Sequence, residues 1–122
     1  MKDSAILVVD DSPVVVEAVS EALIKDGFKV FTAADGIEAL DAVKRHSVDL
    51  ILLDIDMPRM NGYQVCKLLK RDPAFKHIPI VMLTAKSAET DRIWGLKAGS
   101  DEYLTKPFNY AKVKEVIRRF VK

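Results

Sequence analysis

At 122 residues the chain has room for one domain, large enough to bury roughly two-thirds of its unfolded surface, and none for a second catalytic domain. Lys and Arg number 19 against 18 Asp and Glu, a formal charge of +1, so the overall balance offers no attraction for nucleic acid or an anionic membrane. The single Cys66 excludes an internal disulfide, no apolar stretch approaches the ~20 residues that span a bilayer, and Met1–Lys2–Asp3–Ser4 lacks a signal-peptide pattern, so a soluble cytoplasmic domain is expected.

The first apolar run, Ile6–Leu7–Val8–Val9, leads straight into Asp10 and Asp11. Ser12–Pro13 then announces a helix, with a capping hydroxyl followed by proline at the first helical position. Val15, Val16, Val19, Ala22 and Leu23 mark one face of it, and Gly27 closes it. A second strand, Phe28 to Thr32, is followed by Asp35–Gly36 and a helix whose Ile37, Leu40 and Val43 are expected to face inward. The run Val48–Asp49–Leu50–Ile51–Leu52–Leu53 ends at Asp54, and a loop, Met57–Pro58–Arg59–Met60–Asn61–Gly62, precedes a third helix with Val65, Leu68 and Leu69 as its expected stripe. Asp72–Pro73 ends that helix.

Ile78 to Leu83 forms the next run and ends at Thr84. Ser87 is placed to cap a fourth helix carrying Ile93 and Leu96, which Gly99 stops. Glu102–Tyr103–Leu104–Thr105 precedes Lys106, and Val113, Val116, Ile117, Phe120 and Val121 give the last helix its spacing of i, i+3, i+4, i+7 and i+8. Continuous apolar runs read as strands buried on both faces, and helices between them make the sheet parallel. The expectation is an α/β domain over residues 1–122, with five strands alternating with five helices, either standing alone or trimmed from something longer.

A parallel sheet collects its strands' carboxyl ends on one edge, where open α/β sheets place their sites. Asp10, Asp11, Asp54, Thr84 and Lys106 all fall there. Neighbouring strands lie about 4.8 Å apart, so carboxylates ending adjacent strands repel strongly unless a cation intervenes. A hard divalent ion is the economical solution, and Mg2+ suits an Asp11–Asp54 pair completed by water. Asp54 then remains a carboxylate able to attack phosphorus. The charge of the transferred phosphoryl group spreads over three equatorial oxygens, for which Mg2+, the Thr84 hydroxyl with a following backbone N–H, and the Lys106 ammonium are matched partners.

These residues carry a resemblance. The doublet Asp10–Asp11, Asp54 with Met57–Pro58–Arg59–Met60–Asn61–Gly62, Thr84–Ala85, and Tyr103 with Lys106–Pro107–Phe108 closely resemble, over essentially the whole chain, the receiver domains of two-component response regulators. The resemblance implies a flavodoxin-like, doubly wound (βα)5 fold with strand order 2-1-3-4-5. It implies transfer of a phosphoryl group to Asp54 from a histidine kinase or phosphotransfer protein, with an output protein or an effector domain as the other partner. It further implies that Asp11 and Asp54 ligate Mg2+ directly, that Asp10 acts through water, that Asp56 gives its backbone carbonyl, and that the Lys106–Pro107 bond is cis. Thr84 would move towards the phosphoryl group and Tyr103 would turn inward, remodelling the face made by the fourth helix, fifth strand and fifth helix.

Trp94, off the core stripe of its helix, is expected to be partly exposed, either as a rim residue or as an anchor for a partner. The wording Ile93–Trp94–Gly95–Leu96 is similar to single-domain regulators of chemosensory and twitching-motility systems. Met57 and Met60 suit packing better than metal binding, His46 and His77 sit in loops as surface residues, and Lys112, Lys114, Arg118, Arg119 and Lys122 form a solvated face or a contact for an acidic partner. Asp56 is the least routine position, because an extra carboxylate at the mouth of the site is expected to alter how long a phosphoryl group survives. Asp54–Ile55–Asp56 also invites comparison with haloacid-dehalogenase-type phosphatases. Against an enzyme stand the nucleophile's place after the third strand, the preceding acidic doublet, and the lack of room for a substrate-enclosing cap. A binding module that ignores phosphorylation would have no use for the intact set of five polar residues.

Overall fold

The computed structural model describes residues 4–84, 98–106 and 108–121. In chain order the elements are β1 (Ala5–Val9), α1 (Pro13–Lys25), β2 (Lys29–Ala33), α2 (Gly36–Arg45), β3 (Leu50–Asp54), α3 (Gly62–Arg71), β4 (Ile80–Thr84) and β5 (Glu102–Thr105), then a C-terminal helix, Tyr110–Phe120. Every strand pairing is parallel, and the order is β2-β1-β3-β4-β5, as expected. The expected fourth helix with Ser87, Ile93, Trp94 and Leu96, together with Ala85, Pro107 and Lys122, lies outside the described residues. No helix among the described residues is long and apolar enough to cross a membrane.

Each strand's alternation divides the interior into two layers. Leu7, Val9, Ile51, Leu53, Ile80 and Met82 point to the side covered by α2 and α3. Ile6, Val8, Leu50, Leu52, Val81 and Leu83 point to the side of α1 and the C-terminal helix, where Leu23, Val113 and Ile117 meet them. β1, β3 and β4 are buried throughout, which is why their sequences are unbroken apolar runs. β2 and β5 form the edges and keep exposed or half-buried positions. Burying each large aliphatic side chain contributes roughly 1.5–3 kcal/mol, so the three central strands form a rigid base for the groups at their ends.

Every helix among the described residues begins with a side-chain cap. Ser12, Asp35, Asn61 and Asn109 accept hydrogen bonds from the backbone N–H groups of Val15, Glu38, Gln64 and Lys112 respectively. Asn61 and Gln64 complete a reciprocal capping box. Gly27, at φ +92°, turns the chain out of α1 in a conformation that costs glycine little.

Two expected core positions are corrected. Ile37 is 50% exposed and Leu68 is 45% exposed. On α2 the buried residues are Gly36, Ala39, Ala42 and Val43, and on α3 they are Gly62, Val65, Cys66 and Leu69. At about 100° per residue, Leu68 lies on the flank of its stripe and Ile37 nearly opposite its own, while small residues at the buried positions let each helix approach the sheet. His46 is exposed, as expected, but it also stacks on Phe31 with ring centroids 3.9 Å apart.

Among the described residues, one buried side-chain polar atom has no partner, the Ser20 hydroxyl on α1. Ser20→Ala removes that atom and adds a better helix former, so stability is expected to rise by about 1 kcal/mol. Urea unfolding measures this, and a midpoint at or below that of the native protein would contradict it.

Candidate functional site

The register of β1 against β3 pairs Val9 with Leu53, which brings the residues that follow, Asp10 and Asp54, side by side. Carboxylate oxygens of Asp10, Asp11 and Asp54 all lie within 4.8 Å of one another. Asp10 and Asp54 are buried and Asp11 is exposed, so the cluster opens to solvent on one side. Asp10 is fixed at both oxygens. Its Oδ1 accepts the Ser12 backbone N–H at 2.9 Å, at the start of α1, and its Oδ2 accepts from Lys106 Nζ at 2.7 Å.

Lys106 follows β5, at the far edge of the sheet, and its stem reaches back over β4. Its Nζ is also 3.2 Å from Asp54 Oδ1. Burial pulls the Lys106 ammonium down, but the hydrogen bond to Asp10 and the charges of Asp54 and Asp10 outweigh it and hold the group above the ordinary lysine range. Asp54 is raised as well, which in a carboxyl disfavours the charged form. Burial first, then the charge of Asp10, push its carboxyl up to about 6 against the opposing pull of Lys106. One lysine therefore leaves this cluster short of positive charge. Three carboxylates, all-oxygen donors crowded into one opening, suit a hard divalent cation, and the residues present fit Mg2+.

Thr84 ends β4 and is buried, and its carbonyl accepts the Lys106 backbone N–H at 2.5 Å. β4 neighbours β3, with Leu83 in register with Asp54. Tyr103 lies half-buried in β5 and packs against the core layer of α2 and α3. Asp56 is exposed in the loop after β3. Met57 and Met60, in the same loop, pack partly buried against the core, as expected. Trp94 lies outside the described residues.

The expected basic face of the last helix is partly committed to ion pairs within the chain. Lys114 Nζ is 3.2 Å from Asp26, which also accepts from the Tyr110 hydroxyl at 2.9 Å. Arg119 reaches Glu102 at 2.7 Å and Glu115 at 3.4 Å. Tyr103, Phe108, Lys112 and Val116 help line a groove of about 560 Å³ between β5 and this helix.

Sequence patterning missed one contact beside the site. Arg59, in the loop after β3, pairs with the buried carboxylate of Asp35 at the start of α2. The two are 24 residues apart, and neither lies in a periodic pattern that would signal the meeting.

The family model for the response regulator receiver domain matches residues 6–118. The chain is 43% identical over 118 residues to the alkaline phosphatase synthesis transcriptional regulatory protein PhoP of Bacillus subtilis, covering 93% of this chain and 48% of that protein. It is 43% identical over 117 residues to the response regulator PleD of Caulobacter vibrioides, covering 93% of this chain and 26% of that protein. The chain thus spans half or less of the curated relatives it matches. Among solved structures, chemotaxis protein CheY4 of Vibrio cholerae superposes with a TM-score of 0.92 at 34% identity, covering 98% of this chain and 99% of that one. The receiver domain of the sensor histidine kinase PA1611 of Pseudomonas aeruginosa, described with a magnesium ion coordinated in its active-site cleft, gives a TM-score of 0.89 at 33% identity, covering 97% of each chain.

Proposed function

The chain belongs to the response regulator receiver domain family of two-component signalling, and on that premise we propose that it is a phosphorylation switch whose acceptor is Asp54. The observation that carries the proposal is Lys106 Nζ lying between Asp10 and Asp54 at the mouth of a three-carboxylate cluster. Mg2+, held by Asp10, Asp11, Asp54 and the Asp56 carbonyl, would neutralise the carboxylates and draw charge from the phosphoryl oxygens. The magnesium in the cleft of the PA1611 receiver supports the same assignment here.

Asp54 supplies the nucleophilic oxygen. Its carboxylate attacks the phosphorus of a phosphohistidine, the phosphorus–nitrogen bond breaks, the imidazole leaves, and an acyl phosphate remains on Asp54. Lys106, already within hydrogen-bond distance of Asp54, turns its ammonium to an equatorial phosphoryl oxygen. The Thr84 hydroxyl takes another, and its movement lets Tyr103, on β5, turn inward. The groove beside β5, with Trp94 on the expected fourth helix, then forms the face read by the output partner. The donor is a histidine kinase or phosphotransfer protein of the cytoplasm, and the reader is an output protein or an effector domain. Phosphorylation is stoichiometric, so the domain signals rather than turns over a substrate.

Incubation with Mg2+ and acetyl phosphate, followed by intact mass, tests the assignment. One phosphoryl group is expected on the native chain and none on Asp54→Ala. Equal labelling of both would place the acceptor elsewhere, and sustained hydrolysis of a small phosphoester over many turnovers would favour a phosphatase.

A further inference from the structure

Arg59 is the one non-glycine residue at positive φ among the described residues, at +66°. A side chain in that region costs of order 1 kcal/mol, and such strain persists where the surroundings over-determine it. Here they do so from the β2–α2 turn. Asp35 uses Oδ1 to accept the Glu38 backbone N–H at 2.9 Å, capping α2, and with Oδ2 accepts from the Arg59 guanidinium. Its side chain is 7% exposed, whereas that of Arg59 is 60% exposed, so a carboxylate rooted in the fold reaches out to hold a mobile type of side chain.

The same turn touches the loop a second time. A Cβ on Gly36 would lie 2.7 Å from the Met60 carbonyl oxygen, so the backbone next to Arg59 is seated directly on the start of α2. The far end of the loop is also tied. Gly62 N–H donates to the Ile55 carbonyl at 2.9 Å, and Asn61 caps α3. The loop that runs between these anchors contains Asp56, whose carbonyl is assigned to the metal.

We propose that Asp35 and Arg59 act as a clamp that positions the loop after β3 for metal binding, making both of them positioning residues for Mg2+ affinity. The inference rests on the metal-site reading above. No described hydrogen bond or ion pair joins the pair to an expected ligand, so its effect is on where the loop backbone sits. Groups that orient metal ligands commonly change affinity about 10–100-fold when removed, and this clamp acts at one step further.

Calorimetric titration of the full chain with MgCl2, without phosphodonor, reads the effect directly. Arg59→Gly keeps the backbone conformation accessible while deleting the clamp, and Asp35→Asn keeps the α2 cap while deleting the charge. Each is expected to weaken Mg2+ binding by about fivefold to tenfold, and the double variant to weaken it no further than either alone. Thermal unfolding in EDTA runs in parallel, because a merely structural pair would lower the melting temperature and leave the Mg2+ affinity unchanged. If the native chain binds Mg2+ and Arg59→Gly binds it equally well, the clamp is overturned while the metal site stands. If the native chain binds none, the metal-site reading fails and the clamp falls with it.

Discussion

Asp54→Asn is expected to melt roughly 10 °C above the native protein in EDTA at pH 7.5, although it removes the proposed acceptor. The gain comes from charge. Asp54 is 4% exposed, and burial together with Asp10 raises its carboxyl from the ordinary aspartate value of 3.8 to about 6. A shift of about 2 units corresponds to up to about 3 kcal/mol between the protonated and ionised forms. A carboxyl whose folded value is raised stabilises the fold fully below its unfolded value and loses that contribution as pH climbs through the folded value. Native stability should therefore fall between about pH 4 and pH 6 through this group, and neutral asparagine should not follow it.

The gap between the two proteins should narrow at pH 5 and reopen above pH 6. Mg2+ should close it from the other side. A ligand at a hundred times its dissociation constant adds about 2.7 kcal/mol to the state that binds it, and the native carboxylate gains more of this than asparagine does. Melting curves at pH 5.0, 6.0 and 7.5, with EDTA or MgCl2, read all four effects. Equal melting temperatures for the two proteins in EDTA across that range would show that the cluster carries no unrelieved charge.

The same burial that perturbs Asp54 made it visible in the sequence. Unbroken apolar runs mark β1, β3 and β4 because both of their faces are covered, so the polar residue ending each run stood out at the site-bearing edge. Asp10, Asp54 and Thr84 were legible for that reason, and their ordering by the parallel register followed, whereas Lys106 ends the half-buried edge strand β5 and stood out through its place in the receiver pattern. Side-chain detail on the helices was less legible. Ile37 and Leu68 are apolar, yet Ala39 and Cys66 occupy the buried angle because small residues fit where a helix lies close to the sheet. The Arg59–Asp35 pair was invisible for another reason. It depends on a backbone conformation that arginine seldom adopts, and sequence periodicity carries no information about such a loop.

Gly62→Ala is expected to cost at least about 3 kcal/mol of stability, despite alanine's advantage of about 1 kcal/mol inside a helix. A Cβ at residue 62 would sit 2.4 Å from the Asp54 carbonyl oxygen, 2.9 Å from Ile55 Cα and 3.1 Å from the Asp54 carbonyl carbon. All three are backbone atoms at the end of the central strand, so no side chain can rotate away to make room. Relief requires α3 to lift from the sheet, which would break the Gly62 hydrogen bond to Ile55 and loosen Val65, Cys66 and Leu69 beneath it. Gly36→Ala provides the comparison. Its added methyl would meet the Met60 carbonyl oxygen at 2.7 Å, but also Val65 Cγ2 at 2.7 Å and Met60 Cβ at 2.8 Å, atoms of side chains and of a loop that have some freedom to shift. Urea unfolding of both variants should therefore show the larger loss at Gly62, and acetyl phosphate labelling should slow more there, because the crowded backbone is that of Asp54 itself. A smaller loss at Gly62 than at Gly36 would mean that the strand end yields more readily than the loop, and the rigid base assigned to β3 would be wrong.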